Sequence, residues 1–245
     1  ELFDGKVFSY PKPVSLIQTL IEQGSSDDDI VLDFFAGSST TAQAVMQQNI
    51  KDGKSRKYIL VQLPEQTGLE LYPTICEIGK ERIRRVGKKI LEEHTQVTME
   101  EDKQSLDVGF RVFKLDTSNL ETWDATPIEN EQLDLLYQRM NTMIHRVKPE
   151  RTDLDMIYEI MLKLGVPLTY SVTPFSINNK TVYGVGDDCL LLVCLAENVQ
   201  PEDVERMTEY APAKIIISRD SFADDTAMAN AYYVLRDHGI ELKLV

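Results

Sequence analysis

Two hydrophobic periods alternate along the first part of the chain. Val14, Leu16, Ile17, Leu20 and Ile21 recur at helical spacing behind a Pro-Lys-Pro turn, and Gly24 closes that run. After the solvated stretch "SSDDD", Ile30 to Leu32 form a short unbroken apolar run, and Tyr58 to Leu63 form a second. Runs of this length predict buried strands. Between them, "TTAQAVMQQN" has a helical pattern with Ala42, Val45 and Met46 facing inward, and Ser38, Ser39 or Thr40 stands where a cap is needed. Strand, helix and strand at this spacing predict a right-handed parallel crossover, hence a doubly wound sheet that takes its ligand at the carboxyl ends of the strands.

Farther on, "YPTICEIGKERIRRVGKKILEEH" keeps Ile75, Ile78, Ile83, Val86 and Ile90 on one helical side. Arg82, Arg85 and Lys89 fall on the other as a basic stripe, expected to be solvated, with contact to a phosphate backbone as the alternative. "DVGFRVFKLD" predicts a third strand. Beyond Trp123 the order changes to two helices ("NEQLDLLYQRMNTMIHRV" and "DLDMIYEIMLKLG"), a hairpin marked by Asn178-Asn179, the strand "CLLLVCLA", and a closing αβαβ rhythm from "PEDVERMTEYAP" to "IELKLV". This shift predicts two α/β domains, 1–125 and 126–245. Tyr232, Tyr233 and Leu235 on the last helix read as core positions.

Composition narrows the function classes. Hydrophobic residues are 42% and charged residues 27% of the 245, an ordinary globular balance. A net charge of -14 argues against gripping polyanions by bulk electrostatics, so any nucleic-acid contact is local or made by something else. Cys76, Cys189 and Cys194 form neither a CxxC nor an even secreted framework, which points to buried thiols in a reducing cytosolic setting and to no metal site. His94, His145 and His238 are isolated and read as surface or packing residues. The longest apolar stretch is too short to span a bilayer and the start lacks signal-peptide order, so a soluble intracellular chain without a membrane partner is expected.

The chemistry concentrates in "VLDFFAGSSTT". No lysine follows Gly37 at P-loop distance, and the loop carries a single glycine where a dinucleotide fingerprint needs three. Asp33 at the strand end opposes a phosphate but welcomes an ammonium or sulfonium. S-adenosylmethionine has that charge, with its methionine part over the Gly37 turn. The plainer alternative is that Asp33 caps the following helix and Gly37 merely turns the chain.

"DFFAGSSTTAQAV" closely resembles the S-adenosylmethionine motif D-x-F-x-G-S-G-T-T of the amino-methylating DNA methyltransferases, and "FSYPKPVSLIQTLI" resembles the Lys-Pro motif that precedes it in their permuted (beta) class. "RKYILVQLPE", "TICEIGKERIRR", "GFRVFKLDTSNLETWD" and "IIISRDSFADDTAMANAYYVL" are similar to modification (Mod) subunits of type III restriction-modification systems. The resemblance implies a partial Rossmann-like methyltransferase sheet, residues 1–125, followed by a smaller C-terminal α/β domain for assembly, residues 126–245. It implies that Lys12 and Pro13 line the cofactor pocket, that Asp33, Phe34, Phe35, Ala36, Gly37 and Ser38 wrap the methionine part, and that Thr40 opens the helix. Gln62 and Glu65 stand where the ribose hydroxyls are met. Ser39 replaces the usual glycine, so a left-handed backbone there would be strained.

No D-P-P-Y tetrapeptide, the catalytic loop of this family, occurs in the chain. The resemblance therefore implies the C-terminal part of an adenine-N6 enzyme with no catalytic residue of its own, meeting double-stranded DNA through an N-terminal part. It further implies a homodimer, a possible restriction (Res) subunit as partner and a cytoplasmic setting. The rivals are a non-catalytic assembly module with a vestigial cofactor loop and a small-molecule methyltransferase. Cutting such a sheet leaves the Ile30–Leu32 strand with an open edge, from which self-association, a covering segment or weak cofactor affinity is expected.

Overall fold

The structure, a computed structural model, describes residues 2–3, 5, 7–8, 10–97, 106–128, 132–144 and 146–245, with backbone alone at 94–97 and 144. His145 and part of the entry segment before Pro11 lie outside the described residues. The chain forms two compact units, Glu1–Arg111 and Val112–Val245, each mixed α/β.

The first unit runs α1 (Val14–Gly24), β1 (Ile30–Asp33), α2 (Thr40–Asp52), β2 (Lys57–Leu60) and α3 (Ile75–Val97). The strands pair in parallel, from Ile30 opposite Lys57 to Asp33 opposite Leu60, with α2 as the crossover. The ladder has two strands, so the expected multi-stranded, doubly wound sheet is not formed among the described residues. Val31 and Tyr58 pack with Ile21, Ala44 and Val45, while Tyr58 and Leu60 pack with Ala42, Met46, Ile83, Val86 and Ile90. Helices α1, α2 and α3 thus cover one face of the ladder.

Two expectations are corrected here. Residues 107–116 form no strand: Leu106, Val108 and Phe110 alternate into the α2–α3 core, but no neighbouring strand takes up their backbone. Alternation reports which side is buried, and a strand additionally needs a ladder partner. The basic stripe of α3 is not simply solvated. Arg82 is buried with its Nη1 donating to Gln43 Oε1 at 3.1 Å, and burial pushes its pKa down. Arg85 pairs with Glu81 at 2.7 Å, donates to Leu2 O at 2.9 Å and stacks over Phe3, leaving Lys89 as the exposed member.

A buried arginine clamps the opposite end of the ladder. Arg56, just before β2, forks onto Asp52 at 3.0 and 2.9 Å and donates from Nε to Ser25 Oγ at 2.8 Å. Asn49 exchanges hydrogen bonds with the Arg56 backbone. The ends of α1 and α2 are thereby tied to the start of β2.

The second unit contains α4 (Leu133–Ile144), α5 (Asp153–Leu164), β3 (Val172–Ile177), β4 (Lys180–Val185), β5 (Leu191–Cys194), α6 (Pro201–Thr208), β6 (Lys214–Ile217), α7 (Asp225–Asp237) and β7 (Glu241–Leu244). Its five strands lie in chain order, antiparallel through β5 and parallel from β5 to β7. Asn178 and Asn179, with φ of 48° and 66°, make the two-residue hairpin turn that right-handed strand twist prefers. Leu192, Cys194, Ile215 and Ile217 pack toward α6 and α7; Leu191, Val193 and Ile216 pack toward α5 on the other face. On α7, Ala227, Ala231 and Leu235 take the inner stripe, so Tyr232 and Tyr233 are exposed, contrary to the core reading.

Glu159 on α5 accepts from Ser118 Oγ and Asn119 N at 2.6 and 2.7 Å and pairs with Lys163 at 2.7 Å. Burial alone would raise its pKa, but Lys163, Ser118 and the Asn119 amide together hold it down at about 2. A depressed folded pKa stabilises fully above the unfolded value and loses that contribution as pH falls through the folded one. Thermal melts should therefore show a Glu159-dependent loss between about pH 4.5 and pH 2, reduced in Glu159→Gln.

Breaking the Arg56 fork leaves a charge with its side chain fully buried. Asp52→Ala should lower the unfolding free energy by about 1 to 2 kcal/mol in urea titrations, the range for leaving a buried donor short of one partner while Ser25 and Asn49 remain.

Candidate functional site

The loop after β1 is built on the ladder's last rungs. Val61 N donates to Asp33 O at 2.9 Å and Ala36 N donates to Val61 O at 3.2 Å, so the chain turns while still bonded to the segment leaving β2. The Asp33 carboxylate then holds the turn. Its Oδ1 accepts the Phe35 amide at 3.1 Å, and its Oδ2 accepts the Thr41 hydroxyl at 2.5 Å. One side chain therefore joins the strand end, the loop and the first turn of α2.

Gly37 has φ +52° and Ser39 φ +60°, with Ser39 N bonded to Ala36 O at 2.8 Å. The left-handed serine carries the strain expected at the glycine position of the motif this loop resembles, about 1 kcal/mol for a non-glycine residue. Ser39 occupies the N-cap position of α2, but its side chain makes no capping bond. Gln62 secures the other side: its Oε1 accepts the Gly37 amide at 2.7 Å, and its Nε2 donates to Leu63 O at 3.0 Å.

Gly37 and Gln62 are thus bonded directly, Asp33 holds the same loop through Phe35 and Thr41, and Ala36, Ser38 and Thr40 are buried. Phe34 and Phe35 project outward, with ring centroids 5.1 Å apart. Glu65 is exposed, and its carbonyl accepts the Ile75 amide at 2.9 Å where α3 begins. Lys12 and Pro13 are exposed at the start of α1, with Pro13 at the N-cap position. From that end of the chain it is Phe8 that reaches the loop, its ring 3.6 Å from where a Gly37 Cβ would stand.

Sequence reasoning missed three residues that shape this site. Thr41 is the partner of Asp33; a second threonine on the first turn of a helix, after a strand-end acid, was the available signal. Gly79 lets α3 approach the loop, since a Cβ there would collide with Ser39 Oγ and stand 3.6 Å from Gly37 O. Its signal was a glycine inside a strongly periodic helix. Cys76 donates its thiol to Gln62 O at 3.5 Å, and burial pushes that thiol's pKa up.

A DNA methylase family matches residues 2–86, the stretch that contains this loop and most of its supports. The Mod subunit of the type III restriction-modification enzyme StyLTI from Salmonella typhimurium is 37% identical over 130 residues, 51% of this chain and 19% of that protein. Residues 2–86 are thus similar to a DNA methylase, and about half of the chain is similar to part of a type III Mod subunit. The EcoPI Mod subunit of Escherichia phage P1 is 46% identical over 94 residues, 36% of this chain and 15% of the phage protein. The type II methyltransferase M.KpnI of Klebsiella pneumoniae is 45% identical over 62 residues, 25% of this chain and 15% of that enzyme. The Mod-like chain thus matches less than a fifth of the length of these relatives. Among the described residues, no cluster of metal-ligating side chains and no helix long and apolar enough to cross a membrane is present.

The close approach of α3 to the loop is testable by coupling. Gly79→Ala gains about 1 kcal/mol of helix propensity but meets Ser39. It should be neutral or destabilising in the parent chain and stabilising by about 1 kcal/mol in a Ser39→Gly background, read by urea denaturation of all four species in the double-mutant cycle.

Proposed function

We propose that this chain is the C-terminal portion of a site-specific adenine-N6 DNA methyltransferase of a type III-like restriction-modification system. Residues 1–125 supply the S-adenosylmethionine-binding motifs on a partial Rossmann-like sheet, and residues 126–245 serve assembly. The observation that carries the reading is the Asp33–Gly37–Gln62 constellation at the carboxyl end of a parallel strand, within the stretch matched by the DNA methylase family.

The residues present fit the cofactor. A carboxylate has about four acceptor positions, and the Phe35 amide and Thr41 hydroxyl take one on each Asp33 oxygen, so capacity remains for a cationic amino or sulfonium group. Phe34 and Phe35 offer exposed aromatic surface beside it. Ala36, Ser38 and Thr40 form the loop's buried wall, Lys12 and Pro13 its approach from α1, and Gln62 holds the Gly37 turn, with Glu65 following. S-adenosylmethionine supplies a methyl carbon activated by its sulfonium. Asp33 and Lys12 serve binding in this scheme and take no proton.

The chain has no D-P-P-Y tetrapeptide, so the target amine and double-stranded DNA are handled by an N-terminal part of the parent enzyme. The relatives' description as Mod subunits supports a Res subunit as partner. A homodimer and a cytoplasmic setting complete the proposal.

A second reading, an assembly module with a vestigial cofactor loop, is favoured by the strained Ser39 and by the internal partners already held by Asp33. Calorimetry separates the two. The cofactor reading expects binding of S-adenosylmethionine weaker than micromolar, and weaker again by about tenfold or more in Asp33→Ala, the loss of one charge-assisted contact. No response to Asp33→Ala supports the assembly module. Radiolabelled methyl groups appearing in DNA incubated with the purified chain would refute the assignment to a catalytically incomplete portion.

A further inference from the structure

The seam between α2 and α3 carries two successive rungs. At the first, Gly79 faces Ser39, which holds the N-cap position of α2 and ends the candidate cofactor loop, with no room for a Cβ. One helical turn on, Arg82 faces Gln43, and Arg82 Nη1 donates to Gln43 Oε1 at 3.1 Å. Each of these two residues is 8% exposed. Arg84 and Arg85 next to it on α3 pair with Glu81, but among the described residues Arg82 pairs with no carboxylate, and its Nε is buried without an acceptor.

A guanidinium held this way is costly, since one neutral acceptor offsets its desolvation. Aliphatic side chains of similar volume would fill both positions without that cost, so what the bond contributes is direction rather than stability. The rest of the seam is Ala42, Met46, Ile83, Val86 and Ile90, and apolar contact is non-directional. Ridge-into-groove packing repeats with each turn, so by itself it discriminates weakly against a helix displaced by about 5.4 Å. Where α3 begins, the Ile75 amide on Glu65 O fixes one point of the helix and leaves its rotation open. Ile75, Cys76, Arg82 and Ile83 lie one turn from Gly79, and any of them would bring a side chain to the place where Gly79 has none. The loop at Ser39 would then have to yield.

We infer that Arg82, acting through Gln43, is a positioning residue for the candidate cofactor loop: it fixes the rotation and register of α3 so that Gly79, and no side chain, meets Ser39. The buried cation thereby sets the left-handed Ser39 turn and the loop that Asp33 and Gln62 hold from the other side. Its bearing on S-adenosylmethionine rests on the proposed function. Its bearing on the order of the loop does not.

The test replaces the bond with packing in the full 245-residue chain. Arg82→Met with Gln43→Leu removes the buried charge and both polar groups at similar volume, so the melting temperature should be unchanged or higher. Hydrogen exchange should nonetheless quicken by about tenfold or more at the Phe35, Ala36, Gly37 and Ser39 amides that close the loop, the effect of losing one charge-assisted bond. The Lys57 amide, bonded to Asp29 O at the other end of the ladder, should keep its rate. Calorimetry should show S-adenosylmethionine bound about tenfold more weakly. The exchanged pair, Gln43→Arg with Arg82→Gln, rebuilds the contact in reverse and should return the loop rates toward those of the parent. Unchanged loop exchange in the stable double variant overturns the inference, as does a quickening shared equally by Lys57, which is ordinary loss of stability. Should the double variant not fold, the exchanged pair decides, with parent-like loop rates supporting the inference and quickened ones overturning it. Quickened loop exchange with no cofactor binding, or with unchanged affinity, leaves the positioning role standing and removes the cofactor reading.

Discussion

A parallel ladder must be sheltered on both faces, and the first unit stands on such a ladder with shelter on one. Everything that defines the candidate site is referred to it. The rungs between β1 and β2 set where Asp33 ends the strand, and their continuation through Val61 fixes where the loop turns. The covered face supplies the core that places α2 and α3, and α3 in turn presses Gly79 against Ser39. The uncovered face contributes nothing to that order.

Polar side chains do the local fastening at both ends of the ladder. At the carboxyl end, Asp33 and Gln62 spend their oxygens on the Phe35 and Gly37 amides, converting a glycine-poor loop into a defined turn. At the other end, Arg56 satisfies its buried guanidinium on Asp52 and Ser25. Desolvating these groups is costly, and each is tolerated because its partners come from neighbouring elements in fixed geometry. The overall charge of -14 does not disclose this, since buried arginines are structural cations at specific points.

The second unit shows the same chemistry completed. Its sheet has five strands, with α5 on one face and α6 and α7 on the other, and its central residues alternate between two apolar clusters. The resemblance between "IVL" in β1 and "LLVC" in β5 is instructive: both are continuous apolar runs, but the first is exposed at alternate positions and the second is buried throughout.

That contrast marks how far local pattern reaches. Element types and their order were legible because helix and strand periods are set by neighbours a few residues away: α1, α2, α3, the Asn-Asn hairpin and the closing αβαβ order follow from spacing and turn chemistry. The acid-and-glycine loop was legible as a ligand candidate, and the parallel pairing of its strands followed from the connection length. Contacts across the chain were not. Whether residues 107–116 find a ladder partner, whether Arg82 faces solvent or Gln43, and whether Tyr232 and Tyr233 or Ala227 and Ala231 join Leu235 on the inside of α7 all depend on what packs opposite. The site divides the same way, for Asp33 was visible as a charge at a strand end, while its bond to Thr41 and the Gln62 hold on Gly37 exist only after α2 and β2 are brought beside it. Side-chain period is a local property of the backbone, whereas burial and hydrogen-bond partnership are properties of the surfaces that meet.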